Sequence, residues 1–299
     1  GPSMPVDADL RETITHGTKQ NPITAMRFTS GPGTNSPENF FVQRHWHSNI
    51  EILFIRKGAF SLELNLENHR IYAGDLCIFN SGELHQLIGQ TPGTVHDVFI
   101  FDPHILDFSY PDEWQEGWIR PFLNHSLLLP HILHPENFGY EKICALLEQI
   151  LALGIKKQEG WYIRCKLLLL ELFAYVSENN LLLPNTSLPA AEMLKINRYK
   201  TIVSYIEEHY NEPISLQQIA DTIPCNPQYL CRFFKTIAGI TPIQYLIQYR
   251  IKRASFLLTN TSQPVLEIAM DCGFENFSYF IRKFKEIWGC TPKEYREKV

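Results

Sequence analysis

Between residues 24 and 102 the chain alternates short apolar runs with polar or Gly-containing turns. The runs at 51–56, 60–65, 75–79 and 95–101 are rich in β-branched and aromatic residues, which predicts strands joined by short connections. Many short strands at this spacing predict a barrel or sandwich. After residue 135 the period changes. Ile143, Leu146, Leu147 and Ile150 recur at helical spacing, as do Ile163, Leu167, Leu170 and Phe173, and the polar stretch 154–160 divides them into a two-helix hairpin. Such a hairpin covers the barrel with its apolar stripes. The run 166–171 holds more leucines than one face needs, so it is also a candidate dimer seam. Two prolines and a polar cluster at 181–189 mark an interdomain linker.

A repeat dominates the rest of the chain. Arg232, Phe234, Lys235, Gly239, Thr241, Pro242 and Tyr245 recur at an offset of 50 as Arg282, Phe284, Lys285, Gly289, Thr291, Pro292 and Tyr295. Asn226 and Tyr229 match Asn276 and Tyr279 at the same offset, whereas Ile219 and Ala220 match Ile268 and Ala269 at 49. The one-residue adjustment falls at a turn. Ser215 and Gln218 form a capping box that opens a short helix. Ala220 supplies the small residue that two helices crossing at about 90–120° need. Asn226 caps the next helix with Pro227 at its first position, where proline loses no hydrogen bond; Asn276 does the same in the second copy. Tyr229, Leu230, Phe233 and Phe234 form an inward stripe, and Gln228, Cys231, Arg232 and Lys235 point outward. In the second copy Phe280 and Phe284 face in, leaving Ser278, Ile281, Arg282 and Lys285 outside. An exposed helix of this kind fits the DNA major groove, where Arg bonds guanine O6 and N7 together.

Charge sharpens this division. The 299 residues suffice for two domains. Their net charge of −5 splits unevenly: residues 193–299 carry 14 Lys+Arg against 10 Asp+Glu, and the rest 13 against 22. The balance of +4 belongs to the half expected to face phosphates. Seven cysteines without a C-x-x-C pair fit a reduced, cytoplasmic compartment better than disulfides or zinc. No run of 18 apolar residues occurs, and the N-terminus lacks the regions of a signal peptide, so no membrane is expected. Gly1-Pro2-Ser3 ahead of Met4 reads as a cleavage scar.

The duplicated segments resemble the AraC/XylS family of bacterial transcription regulators. The resemblance rests on Ser215-Leu-x-x-Ile-Ala, Tyr229-Leu-x-Arg-x-Phe-Lys, Ile268-Ala-x-x-x-Gly-Phe274-x-Asn-x-Ser-Tyr-Phe-x-Arg-x-Phe-Lys and the twice-used Gly-x-Thr-Pro-x-x-Tyr. It implies a long helix over about residues 242–258 that holds both recognition helices on one face of double-stranded DNA, one turn apart. The matching base-reading positions are Gln228, Cys231 and Arg232, then Phe277, Ser278, Ile281 and Arg282. Two departures stand out. Pro224 occupies a turn position where glycine is usual, and Cys231, Phe277 and Ile281 suit thymine methyls better than hydrogen bonds.

The first half carries a second motif. His45, His47 and Glu51 share one strand parity, and His85 follows Gly74, Asp75 and Gly82. Three imidazoles and a carboxylate suit a divalent transition metal, although they also suit a hydrogen-bonded barrel filling. These segments resemble the two motifs of the cupin barrel, with Asn80 in place of proline and Gly89 in place of asparagine. The expected fold class is therefore α+β. Residues 4–134 form a cupin-like sensing barrel, 135–180 a helical hairpin, 181–192 a linker, and 193–299 an all-α domain with two helix-turn-helix units. The expected function is a non-enzymatic, ligand-responsive transcription regulator of carbohydrate genes, acting as a homodimer. His45, Trp46, His47, Glu51 and His85 are the candidate ligand-binding residues. No cofactor is required, and a metal at the three histidines and Glu51 is the one candidate. The alternatives are a cupin metalloenzyme, such as an oxygenase or isomerase, with an appended DNA module, and a constitutive DNA binder.

Overall fold

A computed structural model describes residues 20–30, 41–186 and 188–298; the N-terminal scar lies outside them. The chain divides into two compact units, one before and one after residue 186. The class is α+β, with a sheet-rich unit followed by a helical one.

Among the described residues the first unit has eight longer strands: β1 Ile23–Thr29, β2 Phe41–His45, β3 Ile50–Lys57, β4 Ala59–Leu64, β5 Glu67–Tyr72, β6 Leu76–Phe79, β7 His85–Gly89 and β8 Val95–Phe101. Two-residue strands follow at β9 Leu127–Leu128, β10 Ile132–Leu133 and β11 Leu183–Pro184. The two larger sheets run β1-β8-β3-β6-β10 and β2-β7-β4-β5, and β11 pairs with β9 in a third, two-stranded one. All their pairings are antiparallel. The period-2 pleat assigns the side chains of β3 to two cores. Leu53 and Ile55 join Phe60, Leu62, Phe79 and Leu87 between the sheets. Ile50, Ile52 and Phe54 turn to the opposite face and pack under two helices, α1 Tyr140–Lys156 and α2 Trp161–Glu178. Both faces of β3 are covered, which explains its near-continuous apolar run. Gly154 lets α1 lie close on β1, since a Cβ there would come within 2.7 Å of the Ala25 methyl.

The hairpin corrects one expected stripe. Ile143, Leu146, Leu147 and Ile150 are buried, but Ile163 and Leu167 are 54% and 58% exposed. Phe173 of that stripe is buried as expected, and the rest of the buried face of α2 is Cys165, Leu169, Leu172 and Val176. α2 is apolar nearly all round, so spacing alone did not choose its inward side.

The second unit has seven helices among the described residues: α3 Ala190–His209, α4 Leu216–Asp221, α5 Pro227–Ala238, α6 Pro242–Asn260, α7 Val265–Asp271, α8 Phe277–Trp288 and α9 Pro292–Glu297. α3 begins within the segment expected as linker. Each helix-turn-helix pair, α4–α5 and α7–α8, is packed between a long helix before it and the start of a helix after it, and α6 serves both. Ala220 and Ala269 are fully buried where each pair crosses. Among the described residues no helix is long and apolar enough to cross a membrane.

Candidate functional site

In the helical unit the caps form as the residues dictate. Ser215 and Gln218 make a reciprocal capping box on α4, Thr241 and Gln244 make another on α6, and Asn226 and Asn276 accept from the amides of Tyr229 and Tyr279. These bonds satisfy amides that a helix start leaves orphaned. Leu230 and Phe234 anchor α5, and Phe280 and Phe284 anchor α8, all fully buried. Gln228, Arg232 and Lys235 are exposed on α5, with Cys231 half-buried; Phe277, Ser278, Arg282 and Lys285 are exposed on α8, with Ile281 half-buried. Each set lies on the outward side of its helix.

The two arginines differ in surroundings. Among the described residues the Arg232 guanidinium has no ion-pair or hydrogen-bond partner. Arg282 lies 5.2 Å from the Tyr279 ring centroid, a cation–π contact that limits its rotamers. Among the described residues neither is tied up in an internal salt bridge.

Arg250, on α6, was not legible as a site residue. Its Nε donates to the Tyr210 carbonyl at 2.6 Å and Nη2 to the Glu212 carbonyl at 2.9 Å, which fixes the chain just before α4. The same guanidinium sits 5.9 Å from the Phe274 ring. Gly273, at φ +93, presses so close that a Cβ would meet Tyr210 O at 2.5 Å and Arg250 Nε at 2.8 Å. One side chain thus joins the entry of the first helix-turn-helix to the turn of the second. Burial lowers the Arg250 pKa, opposed by the charge of Glu275.

The barrel brings the second set of predicted residues together. β2 ends at His45, and Trp46 and His47 lie in the connection to β3, so the turn rather than a shared strand face places the two imidazoles 5.7 Å apart. Glu51 belongs to the inward-facing row of β3 and is fully buried. His85 opens β7, stacked on Phe79 at 4.0 Å. Donor atoms of His45, His47, Glu51 and His85 all lie within 4.8 Å of one another. Trp46 is half-buried beside them.

Hydrogen bonding sets the tautomers. His47 Nδ1 lies 2.9 Å from the Asn49 carbonyl and His85 Nδ1 2.9 Å from the Glu83 carbonyl. A carbonyl only accepts, so both Nδ1 atoms donate. Each ring then turns Nε2 toward Glu51 Oε2, at 3.0 and 3.3 Å. Lone pairs facing a buried carboxylate repel unless a proton or a cation lies among them. Imidazoles anchored to the backbone through Nδ1 and turning Nε2 inward are also the arrangement that orients metal ligands. The donor set therefore fits a divalent transition ion.

Asn80, which replaces the proline of the cupin pattern, has a definite use. Its buried amide receives a bond from the Leu129 N–H at 2.8 Å and donates to the Leu129 carbonyl at 3.0 Å. Its own N–H donates to Glu83 at 2.7 Å, and Glu83 also meets His131 Nε2 at 2.7 Å. Burial pushes the Glu83 carboxyl up, but the bonds from His131 and Asn80 outweigh it and hold the group below its ordinary range.

Residues 219–298 match the family described as a helix-turn-helix domain, and residues 32–173 the AraC-like ligand binding domain. The chain is 28% identical over 294 residues to the uncharacterised HTH-type transcriptional regulator YdeC of Bacillus subtilis (strain 168), covering 98% of this chain and 97% of YdeC. It is 26% identical over 262 residues to the HTH-type transcriptional activator RhaR of Enterobacter sp. (strain 638), covering 88% and 89%. The melibiose operon regulatory protein of Escherichia coli (strain K12) is 23% identical over 265 residues, covering 85% and 83%.

Proposed function

The chain belongs to the AraC family of DNA-binding transcription regulators, and from that premise we propose that a sugar bound in its first unit controls DNA binding by its second. One observation carries the DNA side: two copies of one capped helix-turn-helix, each holding an arginine on its outward face without an ion-pair partner among the described residues. Gln228, Cys231, Arg232 and Lys235 are the readers of the first unit, and Phe277, Ser278, Ile281, Arg282 and Lys285 those of the second. The arginines and glutamine give hydrogen-bonded readout; Phe277 and Ile281 give contact with thymine methyls. The lysines meet phosphates. The sugar class is supported by the name of the melibiose operon relative.

His45, His47, Glu51 and His85 are best suited to an ion. With Glu51 and His85 fully buried, a sugar reaches only Trp46, His45 and His47. We assign the four donors to a divalent transition metal that holds this end of the barrel together; a regulatory role is favoured over catalysis because the relatives are regulators. The exposed Ile155, Ile163 and Leu167 of the hairpin suit a homodimer seam, and the protein acts in the cytoplasm.

The test starts with DNA selected by the full chain from a random pool. Its binding constant falls linearly in log–log form with salt, by about 0.9 per phosphate neutralised. Failure to enrich any sequence refutes the DNA side. Elemental analysis of protein purified without chelator is expected to find one metal per chain, lost in His47→Ala; metal-free protein refutes that assignment.

A further inference from the structure

Beside the histidine cluster the sheet-rich unit contains a cavity of about 200 Å³ that none of the four clustered side chains lines. Its buried lining includes Ile50, Phe122 and Asn80, while Ser48, His104 and His125 are exposed around it. Among the described residues lining it there is no Lys, Arg, Asp or Glu. A phosphate or carboxylate ligand would meet no Lys or Arg, only the imidazoles of His104 and His125, and an amine would meet no carboxylate. What the lining matches is an uncharged molecule that carries both hydroxyl and C–H groups. The volume lies below the roughly 300–1,000 Å³ of drug-sized pockets, so it suits one pyranose or furanose ring and not two.

The wall of this cavity is also the place where the chain leaves the unit. β9 Leu127–Leu128 pairs with β11 Leu183–Pro184, in register Leu128 with Leu183. Asn185 adds two bonds, its N–H to the Ser126 carbonyl at 2.9 Å and its Nδ2 to the His125 carbonyl at 2.8 Å. His125 itself is held at φ +67, a left-handed conformation that a side chain adopts at a cost. From the barrel side, Asn80 grips Leu129 through both of its backbone groups. The segment 125–129 is thus fixed at one end by the barrel and on its other edge by the residues that lead to the helix-turn-helix unit. A ligand touching Leu127 and Leu128 changes the free energy of that pairing by as much as it binds the paired and unpaired arrangements differently.

We propose that this cavity is the effector site, that its ligand is an uncharged monosaccharide-sized polyol, and that occupancy is passed on through the pairing of Leu127–Leu128 with Leu183–Pro184. The inference rests on the reading of the chain as a ligand-responsive regulator. Coupling of this kind is reciprocal: a ligand that shifts the linker strand shifts DNA affinity, and DNA shifts ligand affinity by the same factor.

The experiment measures thermal melting of the full chain against a panel of uncharged aldohexoses, aldopentoses and their deoxy forms, with the disaccharide melibiose as a two-ring control. At least one monosaccharide is expected to raise the melting temperature of the natural chain, melibiose to leave it unmoved, and Ser81→Trp to abolish the rise by filling the cavity. If Ser81→Trp does not melt cooperatively, Ser48→Phe at the mouth replaces it. The absence of any rise, a rise that survives the filled cavity, or one given by melibiose overturns the site or its ligand class. The same sugar is then added to the selected DNA complex. It is expected to change DNA affinity by about fivefold or more, and Asn185→Ala to keep the melting shift while losing most of that change. An undiminished effect in Asn185→Ala overturns the route through the linker strand. Failure of the chain to select DNA defeats the regulator reading separately, because the melting arm still decides the cavity.

Discussion

In the first helix-turn-helix unit Phe234 meets Tyr245 edge-on, with centroids 5.6 Å apart at 78°; in the second Phe284 meets Tyr295 at 5.4 Å and 81°. The buried alanines, the Asn caps and the amide-to-carbonyl bond that closes each turn are duplicated as well: Cys225 N–H to Ala220 O at 3.3 Å, and Phe274 N–H to Ala269 O at 3.0 Å. The turns themselves diverge. Pro224 stands where the second unit has Gly273, and Glu275 is an added residue before the Asn276 cap. The difference teaches which constraint is general and which is local. Packing of the recognition helix is common to both units, whereas the left-handed turn matters only where it docks. Gly273 lies against Tyr210 and Arg250, so the second turn helps set the angle between units. Proline, fixed at negative φ, is compatible with the first.

The comparison breaks first at the cores. Phe234→Ala and Phe284→Ala should each cost about 3–5 kcal/mol, measured by urea unfolding of the full chain with the helical unit followed by its own probe. A small loss in one and a large loss in the other would deny that the two units share a core design. Next comes Gly273→Ala, expected to cost roughly 1–3 kcal/mol from backbone strain alone and to weaken DNA binding as the units shift. Stability and DNA affinity both unchanged would show that the turn is not docked. At the outward face, Arg232→Ala and Arg282→Ala should each remove about 1–3 kcal/mol of binding to the selected site, but at different base positions. Asn226→Ala and Asn276→Ala are expected to lower stability by about 1 kcal/mol apiece, and unequal losses would mean that one cap is supplemented by other contacts. The smallest effect belongs to Pro224→Gly, at less than about 1 kcal/mol through the unfolded chain. A gain in stability there would mean that the first turn, too, prefers a left-handed residue.

Much of this was legible because the repeat compares the chain with itself. Ser215, Asn226 and Asn276 act within three residues of their own helices, so spacing alone reveals them. Where partners lie far along the chain, spacing is silent. Arg250 reads as one more exposed arginine on α6 until Tyr210 and Gly273 are found against it, 40 and 23 residues away. Asn80 reads as a departure from a motif until Leu129 is found in its grip. Among the longer strands, the apolar runs do not mark β1, β2, β5 or β7; β5 is an edge strand with Ile71 as its one fully buried residue, leaving little alternation to see. The histidine cluster was foreseen for a partly mistaken reason. His47 reaches Glu51 from a turn, not from the pleat of a strand, and the inward parity of Glu51 on β3 is what made the meeting possible.

The central claim is that two nonequivalent helices, each led by one arginine, read DNA together. Selection of binding sites from random DNA by the natural chain, Arg232→Ala and Arg282→Ala tests it most directly. The account predicts a site with two patches of preference separated by about one helical turn, with each substitution erasing preference in one patch and sparing the other. An unchanged site in both variants would contradict it.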